Sequence, residues 1–358
     1  MDQDQNTEAE ANLLPCQQAA LASMRRQAKT LESDAKAAIA QIARMSNIEY
    51  FKLHQLGKKS ALALIQTDQS VGDGTVASAL LEDGVYRNQF ETGISSGLVA
   101  AFRGSPRDQW ENSLFEDAYS DHRVSLAHRP KYGALDLANS VDGPAPRFGS
   151  CYFLLKPAVS KKSAFTSGGS QDAPKLRGTL DLFAPILQAL LEESFTRDFM
   201  LGMSGIRPPQ VVDRLCNLYG AADTRSASPS RNLDHIIEAQ IHGDIRLARD
   251  VDTLVVDGGF RSTGIGRCLE GIGRKYKFPV QYYQGFKLDV QSVPLDFRGP
   301  KMPSLAKRVN KDGIVDTAAI GLTVQHLTRN PHAWADRGTY SEVLQELKLL
   351  WHVLVRYG

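Results

Sequence analysis

The chain has 358 residues, 42% hydrophobic and 23% charged, with a formal net charge of +2. This is ordinary globular composition, with length for one large or two moderate domains and a real core. The balanced charge argues for neither nucleic acid nor a membrane surface as partner, and no segment approaches the roughly 18 apolar residues that span a bilayer.

In chain order, MDQDQNTEAEANLLP is polar and acidic and lacks the basic start and apolar core of a cleaved signal peptide. A disordered leader over residues 1–12 is expected, compatible with a signal-peptide-free export route. Residues 13–66 are rich in Ala, Leu, Gln, Lys and Arg, with Leu21, Met24, Ala28, Leu31, Ala38, Ile42 and Met45 at helical spacing. Two or three helices are predicted, with turns near Ser46-Asn47 and Gly57, then a short helix over 76–83 ended by Gly84. From residue 85 the texture changes to short β-type runs between Gly, Ser and Pro clusters. Strands are predicted at 85–92, 149–159 (ended by Pro157), 163–167, 235–243, 253–259 and 278–286. Residues 178–203 read as a helical stretch broken at Pro185, residues 220–232 as a polar loop and 314–355 as helical. Strands and helices do not alternate, so a doubly wound parallel sheet is not expected. An α+β fold is, with a helical lobe over 13–83, a body over 84–305 and C-terminal helices over 306–358 packed on it.

Cys16, Cys151, Cys216 and Cys268 are far apart without a C-x-x-C pair, so neither zinc nor a disulfide framework is expected, and a reducing compartment suits them. The histidines form no metal pair at helical spacing, and no metal is expected. The chain has no phosphate-binding G-x-x-x-x-G-K-[ST], and the glycines of GGFRSTGIGRCLEG (258–271) have the wrong spacing for one.

Four stretches carry chemistry. GVYRNQFETGISSG (84–97) puts Arg87 in a predicted strand, before a turn containing Thr92, Ser95 and Ser96. A buried Arg needs an anion, and Gly/Ser turns offer N–H groups to the same anion; an ion pair with Glu91 plus an ordinary turn is the simpler alternative. RFGSCYFLLKP (147–157) opens a strand with Ser150 and Tyr152, and VSKKSAF (159–165) supplies Ser163 and Phe165; alone, both suit a core strand and turn. The fourth is HIIEAQIHG (235–243), where alternation puts Glu238 and Gln240 on one face, toward a cleft, and Ile237, Ala239 and Ile241 on the other. A carboxylate inside such a strand needs a partner; an edge salt bridge is the alternative.

The order Arg, Ser-led strand, late Glu strand resembles the ADP-ribosyltransferases. RFGSCYFLLKPAVSKKSAF is similar to the pattern of the poly-ADP-ribose-polymerase-like branch. YRNQFETGISSG, RPKYGAL, APRFGSCYFLL, IEAQIHGDI and DFRGP together resemble one bacterial family, which includes the CteC-type effectors that ADP-ribosylate a threonine of host ubiquitin. The likeness covers roughly residues 76–305. It implies an ADP-ribosyltransferase-like split β-sandwich with helical N-terminal lobe and C-terminal tail, residues 84–305 being catalytic. It implies NAD as substrate, ubiquitin as protein partner and secretion into the host cytoplasm.

The resemblance also assigns roles. Glu238 would steady the oxocarbenium-like ribose as nicotinamide leaves and hold the ribose 2′-OH. Arg87 would pair with the diphosphate, with Thr92, Ser95 and Ser96 on the phosphate side. Ser150 would bond the ribose or carboxamide, and Tyr152 and Phe165 would stack on nicotinamide. Ser163 and Gln240 complete the cofactor-binding set. Arginine-modifying relatives carry Glu-x-Glu, whereas Ile236 stands two residues before Glu238, which favours a hydroxyl acceptor. His242 and Asp257 are candidate bases. An NAD glycohydrolase, or a non-catalytic binding module on a degenerate transferase fold, are the alternatives.

Overall fold

The computed structural model describes residues 12–49, 65–68, 75–93, 101–218 and 229–358. Helix α1 (Pro15–Met45) is one unbroken helix, stopping at Ser46 and Asn47, the latter at φ 54°. The predicted turn at Gly57 lies outside the described residues. Helix α2 (Thr75–Asp83) ends where expected, at Gly84 with φ 65°, a position where a Cβ would stand 2.5 Å from the Tyr276 ring.

Among the described residues, eight strands form one hydrogen-bonded sheet: β1 (Ile65–Asp68), β2 (Lys131–Leu135), β3 (Tyr152–Leu155), β4 (Ser163–Ser167), β5 (Arg177–Thr179), β6 (Ile237–Ile241), β7 (Val251–Asp257) and β8 (Val280–Tyr283). Their spatial order is β8-β7-β3-β1-β2-β6-β4-β5. Only β7 and β8 run parallel; the other neighbouring pairs are antiparallel. Around the sheet lie α3 (Pro106–Leu114), α4 (Ala184–Arg197), α5 (Pro208–Cys216), α6 (Gly264–Tyr276), α7 (Met302–Val309), α8 (Thr317–Arg329) and α9 (Tyr340–Tyr357). The fold is α+β.

One sheet face, with Phe153, Phe165, Ile237, Ala239 and Ile241, is buried against α1, α2, α4, α5 and α6 through Ile39, Ile42, Leu80, Ile186, Val211 and Leu269. Thus the C-terminal half of α1 shares the main core. The opposite face is covered in two places. Toward β8, Leu305, Leu327, Leu350 and Leu354 of the last three helices pack over Tyr152, Leu154 and Val255. Toward β5, Leu21 and Met24 of α1 with Leu114, Phe115 and Tyr119 pack around Ala164. Glu238 lies on this face between the two coverings.

Three local expectations are corrected. Of the strand expected at 85–92 only Val85–Tyr86 forms, paired with Ile245–Arg246. Asn88 then caps a short helix, Gln89–Thr92, accepting from the Glu91 amide while Glu91 accepts from the Asn88 amide, a capping box that competes with extension. Pro185 sits in the first turn of α4, where its missing N–H is harmless, so it starts a helix rather than breaking one. The strand expected over 149–159 is shorter, Tyr152–Leu155, and ends as expected before Pro157, which opens a 3-10 turn over Pro157–Lys162. Helix α3 and strand β2 were not foreseen.

Candidate functional site

Glu238 is the second residue of β6, flanked by Ala134 on β2 and Thr166 on β4. Antiparallel partners directly opposite share a face, so Ala134, Tyr132, Glu238, Gln240, Thr166 and Ala164 form one patch. Glu238 is 7% exposed. Its Oε1 accepts from the Gln240 Nε2 at 2.9 Å and from the Ser170 backbone N–H at 3.0 Å. Gln240 donates also to Thr166 Oγ1 at 3.0 Å, and Thr166 donates to the Gly168 carbonyl at 2.9 Å. Among the described residues no lysine, arginine or histidine forms an ion pair with Glu238. Burial pushes its carboxyl above the usual range, opposed by the Gln240 and Ser170 hydrogen bonds and by the field of Arg107. The Arg107 guanidinium sits 5.7 Å from the Tyr132 ring centroid and 5.8 Å from that of Trp110, and its Nε is buried without a hydrogen bond.

A charged network adjoins this patch. Tyr132 donates to Glu111 Oε1 at 2.8 Å, and Arg129, 1% exposed, bonds Glu111 Oε2 at 2.8 Å and also Asp108. Burial dominates over Arg129 and Tyr132 and pushes Glu111 up to about 7. Arg129 also lies over the Phe90 ring, 4.4 Å from its centroid.

The residues expected around NAD are not all gathered here. Gln240 is. Tyr152 shares the face but stands on β3, three strands away, so about 14 Å separates the backbones at ~4.8 Å per step; its hydroxyl donates to the Val141 carbonyl. Ser150 is buried near Asp257, with its carbonyl accepting from Tyr283. Phe165 points into the core on the opposite face, edge-on to Phe183, and buried Ser163 donates to the Val159 carbonyl. Arg87 follows a strand pair beyond the far end of β6 and forms an ion pair with Asp83. Thr92 donates to the Asn88 carbonyl. Ser95 and Ser96 lie outside the described residues.

Neither candidate base has the character its role needs. His242 is fully buried, with Nδ1 2.7 Å from the Tyr119 hydroxyl; burial, with help from Lys131 and Lys162, pushes it down to about 3. Asp257 accepts from Thr317, Gly259, Phe286 and Tyr283, so it ties β7 to α8 and the loop after β8.

Tyr132, Thr166, Ser170, Arg107 and Glu111 were missed. The signals were present but local: alternation places Thr166 beside Phe165, and Ser105-Pro106-Arg107-Asp108 is a helix start, with Ser105 accepting from the Asp108 amide. An open groove of about 610 Å³ along α1, lined by Arg25, Arg26, Lys29, Thr30 and Leu182, contains none of the expected site residues. Its cations are paired with Asp181, Glu116 and Glu32. Among the described residues, no helix is long and apolar enough to cross a membrane.

An α+β protein whose main sheet carries, on an interior strand, a buried carboxylate without an ion pair among the described residues is the class defined by this geometry. The chain belongs to the family described as "Protein of unknown function (DUF3626)", whose model matches residues 61–357. No curated protein matches it.

Proposed function

We propose that the chain is an NAD-dependent mono-ADP-ribosyltransferase that modifies a threonine hydroxyl of host ubiquitin, acting as a bacterial effector in the host cytoplasm. The observation that carries this reading is the state of Glu238: a buried carboxylate oriented by an amide side chain and a backbone N–H, with no cation paired to it among the described residues. A carboxylate so held, once ionised, has its charge available for a cation that arrives with substrate. The bond between nicotinamide and ribose breaks through an oxocarbenium-like transition state. A fixed negative charge beside that carbon stabilises it, and the low dielectric makes the charge count for more. Gln240 fixes the carboxylate's orientation, tied in turn by Thr166.

In this reading the Ser170 N–H holds Glu238 in the resting state, and the 168–172 segment moves aside as the ribose 2′-OH takes its place on the carboxylate. The mostly antiparallel sheet with helices on both faces is read as a split β-sandwich of the transferase type. Ile236, two residues before Glu238, removes the second acid that arginine-modifying relatives use, which supports a hydroxyl acceptor. The test is intact-mass analysis of ubiquitin after incubation with the chain and NAD. A gain of one ADP-ribose is expected. Free ADP-ribose and nicotinamide without that gain would instead establish a glycohydrolase; no consumption of NAD would overturn both.

A further inference from the structure

The C-terminal helix carries a second polar cluster far from Glu238 in sequence. Lys348 and His352 stand four residues apart on α9, hence on one face. The Trp351 indole beside them donates to the carbonyls of Pro146 and Arg147, at 3.0 and 3.1 Å, which pins the 146–148 turn against this helix. The Phe297 ring packs edge-on against Tyr357 at 5.4 Å, and the Arg298 guanidinium lies over that ring, 5.0 Å from its centroid. Arg298, Arg147 and Lys348 all stand close enough to the His352 imidazole for their charges to act on it.

The cluster is built but incomplete. His352 is 2% exposed, and both ring nitrogens are buried without a hydrogen bond. Arg298 Nε is likewise buried and unbonded. Arg147 pairs with Asp234 at 2.6 Å, whereas neither Arg298 nor Lys348 forms an ion pair among the described residues. Glu346, an acid on this part of α9, is taken by Lys301 and Arg337. Arg298 also holds a left-handed backbone, φ 63°, and a Cβ on the following Gly299 would meet open space. Strain in a non-glycine residue persists where its surroundings fix it, and it concentrates at ligand clamps. Burial, then Arg298, Arg147 and Lys348, push His352 down to about 3, so it is a neutral imidazole with one N–H to give.

We propose that Arg147, Arg298, Lys348 and His352 form a binding site for a phosphate or diphosphate group. The guanidinium forks match phosphate oxygens in pairs, Lys348 adds a point charge, and the His352 N–H closes the floor. The ligand cancels the mutual repulsion of cations that lack enough acids of their own. This site does not rest on the role given to Glu238, since its occupant is either a free phosphate species or the diphosphate of a dinucleotide.

The experiment is calorimetric titration of the full chain with inorganic pyrophosphate, and separately with NAD, in the wild type, Arg298→Gln and Lys348→Gln. Pyrophosphate should bind the wild type and raise its melting temperature, and each variant should weaken that binding at least 10-fold. NAD affinity falling in parallel assigns the site to the dinucleotide; NAD affinity unchanged assigns it to a free phosphate species. No pyrophosphate binding by the wild type, or equal affinity in variants that melt normally, overturns the proposal.

Discussion

At the residue scale, Glu238 is an expensive place to keep a carboxylate. Its folded pKa is raised by burial. The folded state thus holds the proton more tightly, and stability falls as pH rises through and above the usual carboxylate range. Glu238→Gln keeps an oxygen for Gln240 and Ser170 to donate to and removes the charge. The variant should melt at or above the wild-type temperature at pH 7 while losing turnover, the pattern of a site held at the expense of stability; a marked fall in melting temperature would make Glu238 structural. His242 has the opposite sign. The unfolded chain takes a proton below about 6.5, whereas folded His242 refuses it until about 3, so stability drops as pH falls through that window. Denaturant melts at pH 7 and pH 5 should show this drop shrinking by about 2 kcal/mol in His242→Gln; equal drops would show that His242 protonates in the folded state. The pairing of Glu238 with Gln240 was legible from alternation alone. The surroundings were not, because the Ser170 N–H bond to the carboxylate and the pairing that sets Tyr132 opposite Gln240 join segments far apart in the chain.

At the element scale, the contest at residues 85–92 shows how local chemistry overrides pattern. β-branched and aromatic residues suggested a strand, but Asn88 and Glu91 satisfy each other's amides as a helix start. Asn88 also donates to the Leu126 and Arg129 carbonyls, at 2.9 and 3.2 Å, so it ties this helix to the approach of β2. Asn88→Ala should cost about 1–2 kcal/mol in chemical denaturation, typical of a lost cap with buried partners; a loss below about 0.5 kcal/mol would show the cap to be dispensable. Strands β4, β6 and β7 were readable because apolar runs were bounded by turn residues. Strand β2, the direct neighbour of Glu238, was missed because KYGAL opens with a lysine and holds a glycine. Lys131 is nonetheless buried, its amine donating to the Ala127 carbonyl.

At the scale of the whole molecule, helices from both ends of the chain close over one sheet. The α+β class followed from the irregular sequence of strands and helices, but the single eight-stranded sheet did not, because its order joins segments far apart in the chain. The phosphate cluster was illegible for the same reason: residues 147, 298 and 348–352 meet only in three dimensions. Since α1 contributes Met24, fully buried, and Ile42 to cores that contain sheet residues, it should unfold with the sheet. Met24→Ala should cost about 2–5 kcal/mol and leave a single transition in calorimetry; a separate low-temperature transition would mean that α1 is an independent lobe. The most direct test of the central claim is single-turnover nicotinamide release from NAD, with ubiquitin present, by the wild type and Glu238→Gln. The account predicts release by the wild type and a fall of about 100–1,000-fold in the variant; equal rates in the two proteins would contradict it.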